Sequence, residues 1–396
     1  MEYLFYIGLL VSLFVFPFQI YISAIVSAFL IIIIIFQKYK DKSLINNTFR
    51  GYNLLLVFWF FWGVISYIWV PSKGMWLNHI LILFTGMSYS LIVPTLLKKD
   101  VFFERAMNLI VISYFVNMII GIFETQTGRY LFTLNRGNID VYASLKYPVS
   151  FFYNTNDYIV FLIFGLLVFL FYFDFKKQTS FSLFLKIISF ILTTYLVTMA
   201  QSRIGFYSLI ILGGLYLYLS IKSKIIRRLI WFLVFTLITI VYFKFENILT
   251  EIGLTVTNDY SGNIRINLIK NSLQYFVDSN YIGVGAGGLK YYLTNYPIFD
   301  TALISDAHNW WIEILATYGM GVFGIYIYIY IKKLSNIWKK VDESYIYKIV
   351  LSWLIIFILL SMSSSSSFQY IWIWIINALL FNIEDNVVGN KYRNNL

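Results

Sequence analysis

The sequence predicts an all-α integral membrane protein with about 12 transmembrane helices, on three observations. Of its 396 residues, 60% are hydrophobic and only 12% are charged, whereas a water-soluble chain averages about 45–50% and about 25%. The apolar residues form runs near the roughly 20 residues that a helix needs to cross a bilayer core about 30 Å thick. These runs lack the alternation of apolar and polar residues that a β-barrel requires.

Backbone hydrogen bonding decides the secondary structure of these runs. Some of them, such as 31–35 and 325–330, are β-branched or alternate isoleucine with tyrosine, a pattern that favours a strand in water. In lipid the backbone must satisfy its own N–H and C=O groups, so a continuous run forms a helix. The predicted spans lie near 3–18, 19–36, 52–70, 77–97, 102–123, 158–174, 181–200, 204–221, 229–246, 308–331, 349–361 and 370–382.

The direction of the spans follows from the positions of lysine and arginine. Taken alternately, one set of connections holds twenty basic residues in short segments, and the other holds eight spread over far more chain. By the positive-inside rule the first set is cytoplasmic, which places both termini inside the cell. Only Met1 and Glu2 precede the first run, so we expect no cleavable signal peptide. The polar segments 124–157 and 247–307 then lie on the outer face, and 247–307 is predicted to be partly helical.

Composition excludes several kinds of site. The chain has no cysteine and two histidines, which removes disulfides, iron–sulfur clusters, thiol nucleophiles and a cysteine- or histidine-rich zinc site. The net charge of +11 does not indicate a nucleic-acid partner, because the basic residues lie between apolar runs rather than on one folded face. In those short inner connections they anchor the protein to anionic membrane lipids.

The first outer segment and the next short connection each offer a candidate residue. Asn156 and Asp157 precede a predicted helix, so they are either ordinary N-caps or ligand contacts. Arg203 stands between two spans on the side where positive charge is disfavoured. It is either a snorkelling anchor or a contact to an anionic ligand, which would repay its cost there.

The second outer segment contains a candidate amphipathic helix and a glycine-rich turn. Ser261 or Asn263 is predicted to cap a helix with Arg265 in its first turn, lying on the membrane surface. Gly283 and Gly285 belong to a stretch that matches neither a nucleotide-binding GxGxxG nor a P-loop, so a flexible turn is the simplest interpretation. The apolar positions at helical spacing are Ile266, Ile269, Leu273, Phe276 and Val277.

His308 is the candidate base on this outer segment. It lies at or beside a predicted helix N-terminus, which disfavours imidazolium and so leaves a neutral ring that can accept a proton. Glu313 follows about 140° around the helix, so it is a candidate partner for a buried arginine. The doubled Trp310 and Trp311 are interpreted as an interfacial belt, with a sugar-stacking surface as the alternative.

The order of these elements resembles the conserved core of the O-antigen ligase and polymerase family. The similarity covers about 150–330, and the rest agrees only in hydropathy. The elements that carry it are the Asn154-x-Asn156 turn, Ser202-Arg203, Arg265 at the start of a helix, the Gly283-x-Gly285 turn, and His308-Asn309 followed by Gly319.

The resemblance implies a C-type membrane glycosyltransferase fold in one integral membrane domain over 1–396. It implies transfer of a glycan from a polyprenyl diphosphate donor to a glycan or lipid acceptor on the outer face of the cell membrane, with no metal and no cofactor. By the same resemblance Arg203 and Arg265 bind the diphosphate and His308 activates the acceptor hydroxyl. The supporting residues are Asn309, Glu313, Gly283, Gly285 and Asn156.

Elementary chemistry agrees with these roles. A diphosphate leaving group gains charge as the glycosidic bond breaks, and a guanidinium fork binds phosphate oxygens in pairs. At about 4 Å such a charge pair is worth about 1 kcal/mol in water and about 4 at an effective dielectric near 20. The predicted function is a polymerase of repeat units of a capsule or related cell-envelope polysaccharide. The alternatives are a ligase that attaches the glycan to a lipid or wall anchor and a flippase for the same lipid-linked glycan. A flippase predicts cations near mid-membrane rather than at one face.

Overall fold

The computed structural model describes residues 1–13, 19–40, 51–97, 101–132, 139–176, 179–251, 260–363 and 367–383. Within these ranges the regular structure is helical, which confirms the predicted all-α membrane protein. Nine of the described helices are long and apolar enough to cross a membrane, and three more are apolar but shorter, at Glu2–Leu13, Tyr345–Leu360 and Ile371–Phe381. The count of about 12 spans therefore stays a prediction.

The helices follow the predicted runs in order, and three more lie in the two long polar segments. The chain divides into two compact units: the first holds Met1–Ala106, Asp259–Lys333 and Ser365–Val387, and the second Met107–Asn258, Leu334–Ser364 and Val388–Leu396. The helices are α1 Glu2–Leu13, α2 Gln19–Lys40, α3 Gly51–Ile65, α4 Lys73–Leu96, α5 Phe102–Thr127, α6 Ile139–Leu145, α7 Thr155–Lys176, α8 Ser180–Met199, α9 Arg203–Ser220, α10 Lys224–Glu251, α11 Tyr260–Asp278, α12 Gly288–Asn295, α13 Trp310–Trp338, α14 Tyr345–Leu360 and α15 Ile371–Phe381.

The first unit is built around a cluster of aromatic rings. Trp59 of α3 is fully buried, and its ring centroid lies 5.4 Å from Tyr318 and 5.3 Å from Trp374 in edge-on contacts. Such edge-to-face pairs add stabilisation beyond the burial of apolar area. At one end of this unit the Asn53 side chain accepts hydrogen bonds from Ser90 and, at 2.9 Å, from Asn382. That polar clamp fixes α3, α4 and the end of α15 relative to one another.

The second unit packs around α7, whose middle is buried on every side. Gly165 of α7 allows the Tyr114 ring of α5 to approach, since an added Cβ would meet that side chain at 2.6 Å. On another side Phe164 contacts Trp353 of α14, with ring centroids 4.7 Å apart. A helix that is apolar all round is covered by protein or by lipid, and here protein covers it.

A buried carboxylate shapes the polar segment that precedes α7. Glu124, near the end of α5, is inaccessible to solvent, and its Oε2 accepts hydrogen bonds from the backbone N–H of Val149 at 2.8 Å and of Ser150 at 2.7 Å. The Ser150 hydroxyl donates to Asn117 at 2.8 Å. The segment before α7 is therefore held by side chains of α5 rather than by its own sequence.

We expect the Glu124→Ala variant to unfold at a clearly lower temperature. The substitution leaves two buried N–H groups without their acceptor, and each such loss costs about 1–3 kcal/mol. Glu124→Gln keeps an amide oxygen at that place and should lose less. The measurement is the Tm of the detergent-purified protein. Equal Tm values for Ala and wild type would contradict this role for the carboxylate.

Candidate functional site

The backbone around His308 is fixed in an unusual conformation. His308 has φ 50°, in the left-handed region that residues with a side chain seldom adopt. The next residue, Asn309, caps α13, because its Oδ1 accepts from the backbone N–H of Trp311 at 3.1 Å and of Ile312 at 3.2 Å. The predicted position of His308 beside a helix N-terminus is thus confirmed, and Asn309 has a defined structural role.

Helix α13 is broken at Gly319, where φ is 80° and ψ is 179°. The break lies ten residues after the capping residue Asn309. In a continuous helix the Ala316 and Thr317 carbonyls would accept from residues four positions later. At this break they instead accept from Val284 N–H and Gly285 N–H, both at 2.9 Å. The half-helix that begins after His308 is therefore joined to the glycine-rich turn by a pair of backbone hydrogen bonds.

The glycine-rich turn is an ordered, buried element, so its interpretation as a flexible turn was wrong. Gly283 and Gly285 have φ 89° and 86°, and both are buried. A Cβ on Gly283 would meet the Thr317 oxygen at 2.5 Å. The connection before α4 packs on the other side of the turn, where Trp69 Nε1 donates to the Gly283 carbonyl at 3.1 Å. Glycine is required here for close backbone approach and for positive φ.

A charged clamp holds the segment that leads to His308. The half-buried Asp306 carboxylate accepts from Lys290 Nζ of α12 at 3.2 Å and from Gln369 Nε2 at 3.0 Å. Lys290, Asp306 and Gln369 belong to three different elements of the first unit. Since Asp306 precedes His308 by two residues, the clamp fixes the approach of the chain to the candidate base.

We expect Asp306 to give the protein a measurable pH dependence of stability. Removal from solvent raises the pKa of Asp306 above its ordinary value of 3.8, and Lys290 opposes part of that rise. A raised folded-state pKa favours the protonated folded form, so this contribution is greatest below the ordinary pKa and is lost as the pH rises through the raised value. Relative to Asp306→Asn, the wild type should lose Tm as the pH increases from about 4. A Tm difference that does not change with pH, or that changes in the opposite direction, would contradict this expectation.

The sequence interpretation overlooked the second histidine of the chain. His79 of α4 is buried, and its Nδ1 lies 3.4 Å from the hydroxyl of Tyr318, the residue before the break in α13. The Phe368 ring stacks on both, with centroids 5.2 Å from His79 and 5.7 Å from Tyr318. An ionisable residue inside a predicted span was the available signal, because such residues are rare and usually functional.

Two further side chains of α13, those of Glu313 and Trp310, are buried. Glu313 has 5% of its surface exposed. Trp310 is fully buried and donates from Nε1 to the Tyr326 hydroxyl at 3.1 Å, so the predicted interfacial belt was wrong for this residue. Trp311 is half-buried against the rings of Tyr326 and Tyr330. The paired tryptophans pack within the unit against Tyr326 and Tyr330, which are four residues apart and so lie on one face of α13, whereas Tyr328 between them is exposed.

Arg265 lies in the second turn of α11, which begins at Tyr260. Ser261 and Asn263 are inside this helix, so neither is the predicted cap. The predicted apolar stripe is mostly not the side that packs into the protein, since Ile266, Leu273 and Val277 are exposed. The buried face is formed by Ile264, Leu268, Tyr275 and Phe276, and of the predicted stripe only Phe276 belongs to it.

In the second unit, Arg203 is the first residue of α9, and the preceding Ser202 caps that helix. Asn156 was expected to cap α7, but Asn154 does so by accepting from the Asp157 N–H at 2.9 Å. The Asn156 Oδ1 instead accepts from the hydroxyls of Ser202 at 3.2 Å and Ser363 at 3.3 Å. The predicted capping roles of Asn156 and Asp157 were therefore wrong, and Asn156 ties the start of α9 to the end of α14.

The candidate residues are divided between the two units. His308, Asn309, Glu313, Gly283, Gly285 and Arg265 lie in the first unit, and Arg203 and Asn156 lie in the second. In the described ranges no group of three or more His, Asp or Glu side chains is arranged to hold a metal ion. The first unit contains His308, whose backbone is left-handed, and the second contains Arg203 at a helix start.

Comparison with known proteins agrees with this reading of the sequence. Residues 188–329 match the O-antigen ligase family. This range includes Arg203, Arg265 and His308 but not Asn156. The chain is 29% identical over 325 residues to the teichuronic acid biosynthesis protein TuaE of Bacillus subtilis strain 168, covering 75% of this chain. The match spans 65% of the length of that relative. The resemblance to the O-antigen ligase family is confirmed.

Proposed function

We propose that this protein is a membrane glycosyltransferase of cell-envelope polysaccharide biosynthesis, because its residues 188–329 match the O-antigen ligase family. It transfers a glycan from a polyprenyl diphosphate carrier on the outer face of the membrane, without a metal, and polymerises repeat units of a capsule or related polysaccharide. The relative named for teichuronic acid biosynthesis supports the envelope polysaccharide. The matched family's description as a ligase keeps attachment to a lipid or wall anchor as the second candidate.

The observation that carries the proposal is the fixed position of His308. His308 has a left-handed backbone conformation and directly precedes the Asn309 cap. It lies within the residues that match the family, and the ion pair of Asp306 with Lys290 holds the chain two residues earlier. A base must be held at one place to meet an acceptor hydroxyl, and a general base is worth about 10²–10⁴-fold in rate. Precise backbone fixation is what that role requires.

The proposed reaction is a single displacement at the anomeric carbon. The acceptor oxygen gives its proton to His308 and forms the new glycosidic bond as the bond to the polyprenyl diphosphate breaks. Arg203 and Arg265 stabilise the departing diphosphate, and inversion is expected.

Purified protein with lipid-linked repeat units tests the proposal directly. A polymerase gives a ladder of products and released polyprenyl diphosphate, both unaffected by a chelator. A ligase gives one new species only when a lipid or wall acceptor is supplied. Movement of the intact donor across a vesicle membrane without release of diphosphate would indicate the flippase instead and would remove the enzymatic proposal.

Replacing Arg203 with lysine is expected to lower the transfer rate about ten- to a hundredfold although the charge is kept. A hydrogen bond to a charged group is worth about 1.5–3 kcal/mol, and the lysine ammonium does not reproduce the paired contacts of the guanidinium fork. The measurement is the initial rate of diphosphate release. Arg129→Lys is the matched control, because Arg129 is an exposed arginine of an outer segment. Equal rates for the two variants would remove Arg203 from the site.

A further inference from the structure

Helix α11 has a second apolar face, opposite to the one that packs into the first unit. Ile266, Leu273 and Val277 are 52%, 40% and 47% exposed. At about 100° per residue these three side chains lie within about 40° of one another and roughly opposite to Ile264 and Leu268. A helix that is apolar on both sides needs a cover on both sides.

The chain that follows α12 is fastened along the same helix by backbone contacts. Asn271 Oδ1 accepts from the N–H of Ile298 at 2.8 Å and of Phe299 at 2.9 Å. Asn267 Nδ2 donates to the Asp300 carbonyl at 2.9 Å, and the Tyr275 hydroxyl donates to the Tyr296 carbonyl at 2.6 Å. Because polar side chains of α11 fix its backbone, this loop can leave its own apolar side chains outside.

Those apolar side chains continue the exposed face of the helix. Lys270 Nζ lies 5.5 Å from the Phe299 ring centroid, and Lys270 is one turn after Ile266 on the exposed side. Phe299 is 40% exposed and Leu303 fully exposed. Leu303 also has φ 62°, a left-handed conformation that is costly for a bulky residue. The fold thus holds an apolar tip outward rather than folding it in.

We propose that this surface inserts into the headgroup–acyl boundary of the membrane leaflet on its side. It consists of Ile266, Lys270, Leu273, Val277, Phe299 and Leu303, and we call it the loop apolar face. We take lipid as the partner of this surface because, in sequence, the segment lies between α10 and α13, two helices that are long and apolar enough to cross a membrane. One lysine among apolar residues also matches an interfacial helix, whose ammonium reaches the lipid phosphates while its stem stays in the apolar layer.

A consequence for the site follows, and this step alone rests on the proposed function. Arg265 lies on the flank of α11, about 100° from Ile266. If the loop apolar face holds α11 at the headgroup–acyl boundary, the Arg265 guanidinium is held at the depth in the membrane where a lipid-linked diphosphate lies. The insertion itself does not depend on that role.

The absence of cysteine in the chain makes a clean test possible. Single variants Leu273→Cys and Leu303→Cys carry a nitroxide in vesicles of phosphatidylcholine and phosphatidylglycerol. Gln274→Cys is the matched control, because Gln274 is the exposed polar neighbour of Leu273 on the same helix. We expect the labels at 273 and 303 to be several-fold more accessible to oxygen than to a water-soluble nickel chelate, and the label at 274 to show the reverse.

Two results would overturn the proposal. Chelate access at 273 and 303 equal to that at 274 would place the face in water. Low access to both reagents would show that protein covers it, from a second copy or another part of this chain. The labelled proteins must keep the wild-type Tm, and the readout needs no substrate, so a failure of the proposed enzymatic function leaves this test intact.

Discussion

Substitution of His308 by alanine is expected to lower the rate of glycan transfer about 10²–10⁴-fold, the usual contribution of a general base. The arginines that are proposed to bind the diphosphate remain, so donor binding should change little while the rate at saturating donor falls. The measurement is the rate of polyprenyl diphosphate release at saturating donor. A variant with wild-type rate would show that another group accepts the proton.

The backbone at His308 requires a second variant to separate chemistry from conformation. Asparagine tolerates the left-handed region better than alanine does, but it has no basic nitrogen. We therefore expect His308→Asn to be as inactive as His308→Ala while keeping a higher Tm. If asparagine restores activity along with stability, then His308 serves the backbone and not proton transfer.

Substitution of Gly319 by alanine is expected to prevent the first unit from folding correctly. At φ 80° and ψ 179° the backbone is in a region that is essentially restricted to glycine. A Cβ there would meet the Ile282 carbonyl carbon at 2.5 Å and its oxygen closer still. Backbone strain of about 1–3 kcal/mol then adds to overpacking of similar size. Loss of monodisperse protein in size-exclusion chromatography, or a large fall in Tm, is the expected observation.

The same helix supplies matched controls for this substitution. An added Cβ on Gly321 or Gly324 meets no atom within 4 Å. Alanine at either position also improves helix propensity by up to about 1 kcal/mol. Gly321→Ala and Gly324→Ala should therefore keep or raise the Tm. A Gly319→Ala protein as stable as these two would mean that the break is not required.

The helical membrane fold could be predicted because hydropathy is a local property. The length and composition of each apolar run can be read without any tertiary information. The positions of His308 and Arg203 beside helix starts could also be predicted, because the start of each apolar run is visible in the sequence.

The errors have physical causes that no local pattern reveals. Helix α11 is apolar on both sides, so periodicity found a stripe but could not tell the protein-facing side from the exposed one. Asn154, Asn156 and Asp157 are all residue types that favour helix capping. Only the hydrogen bonds that Asn156 accepts from Ser202 and Ser363 show that its side chain is not the cap. His79 and the glycine-rich turn depend on partners far away along the chain.

The break at Gly319 also bears on how the nascent chain enters the membrane. The part of α13 that follows it, from Met320 to Trp338, has 19 residues and extends about 28 Å, nearly the thickness of the hydrocarbon core. The insertion machinery can thus integrate that part by itself and leave the nine residues from Trp310 to Tyr318 to be docked afterwards. Because the turn at Gly283 and Gly285 is synthesised first, its free N–H groups are already present when Ala316 and Thr317 arrive.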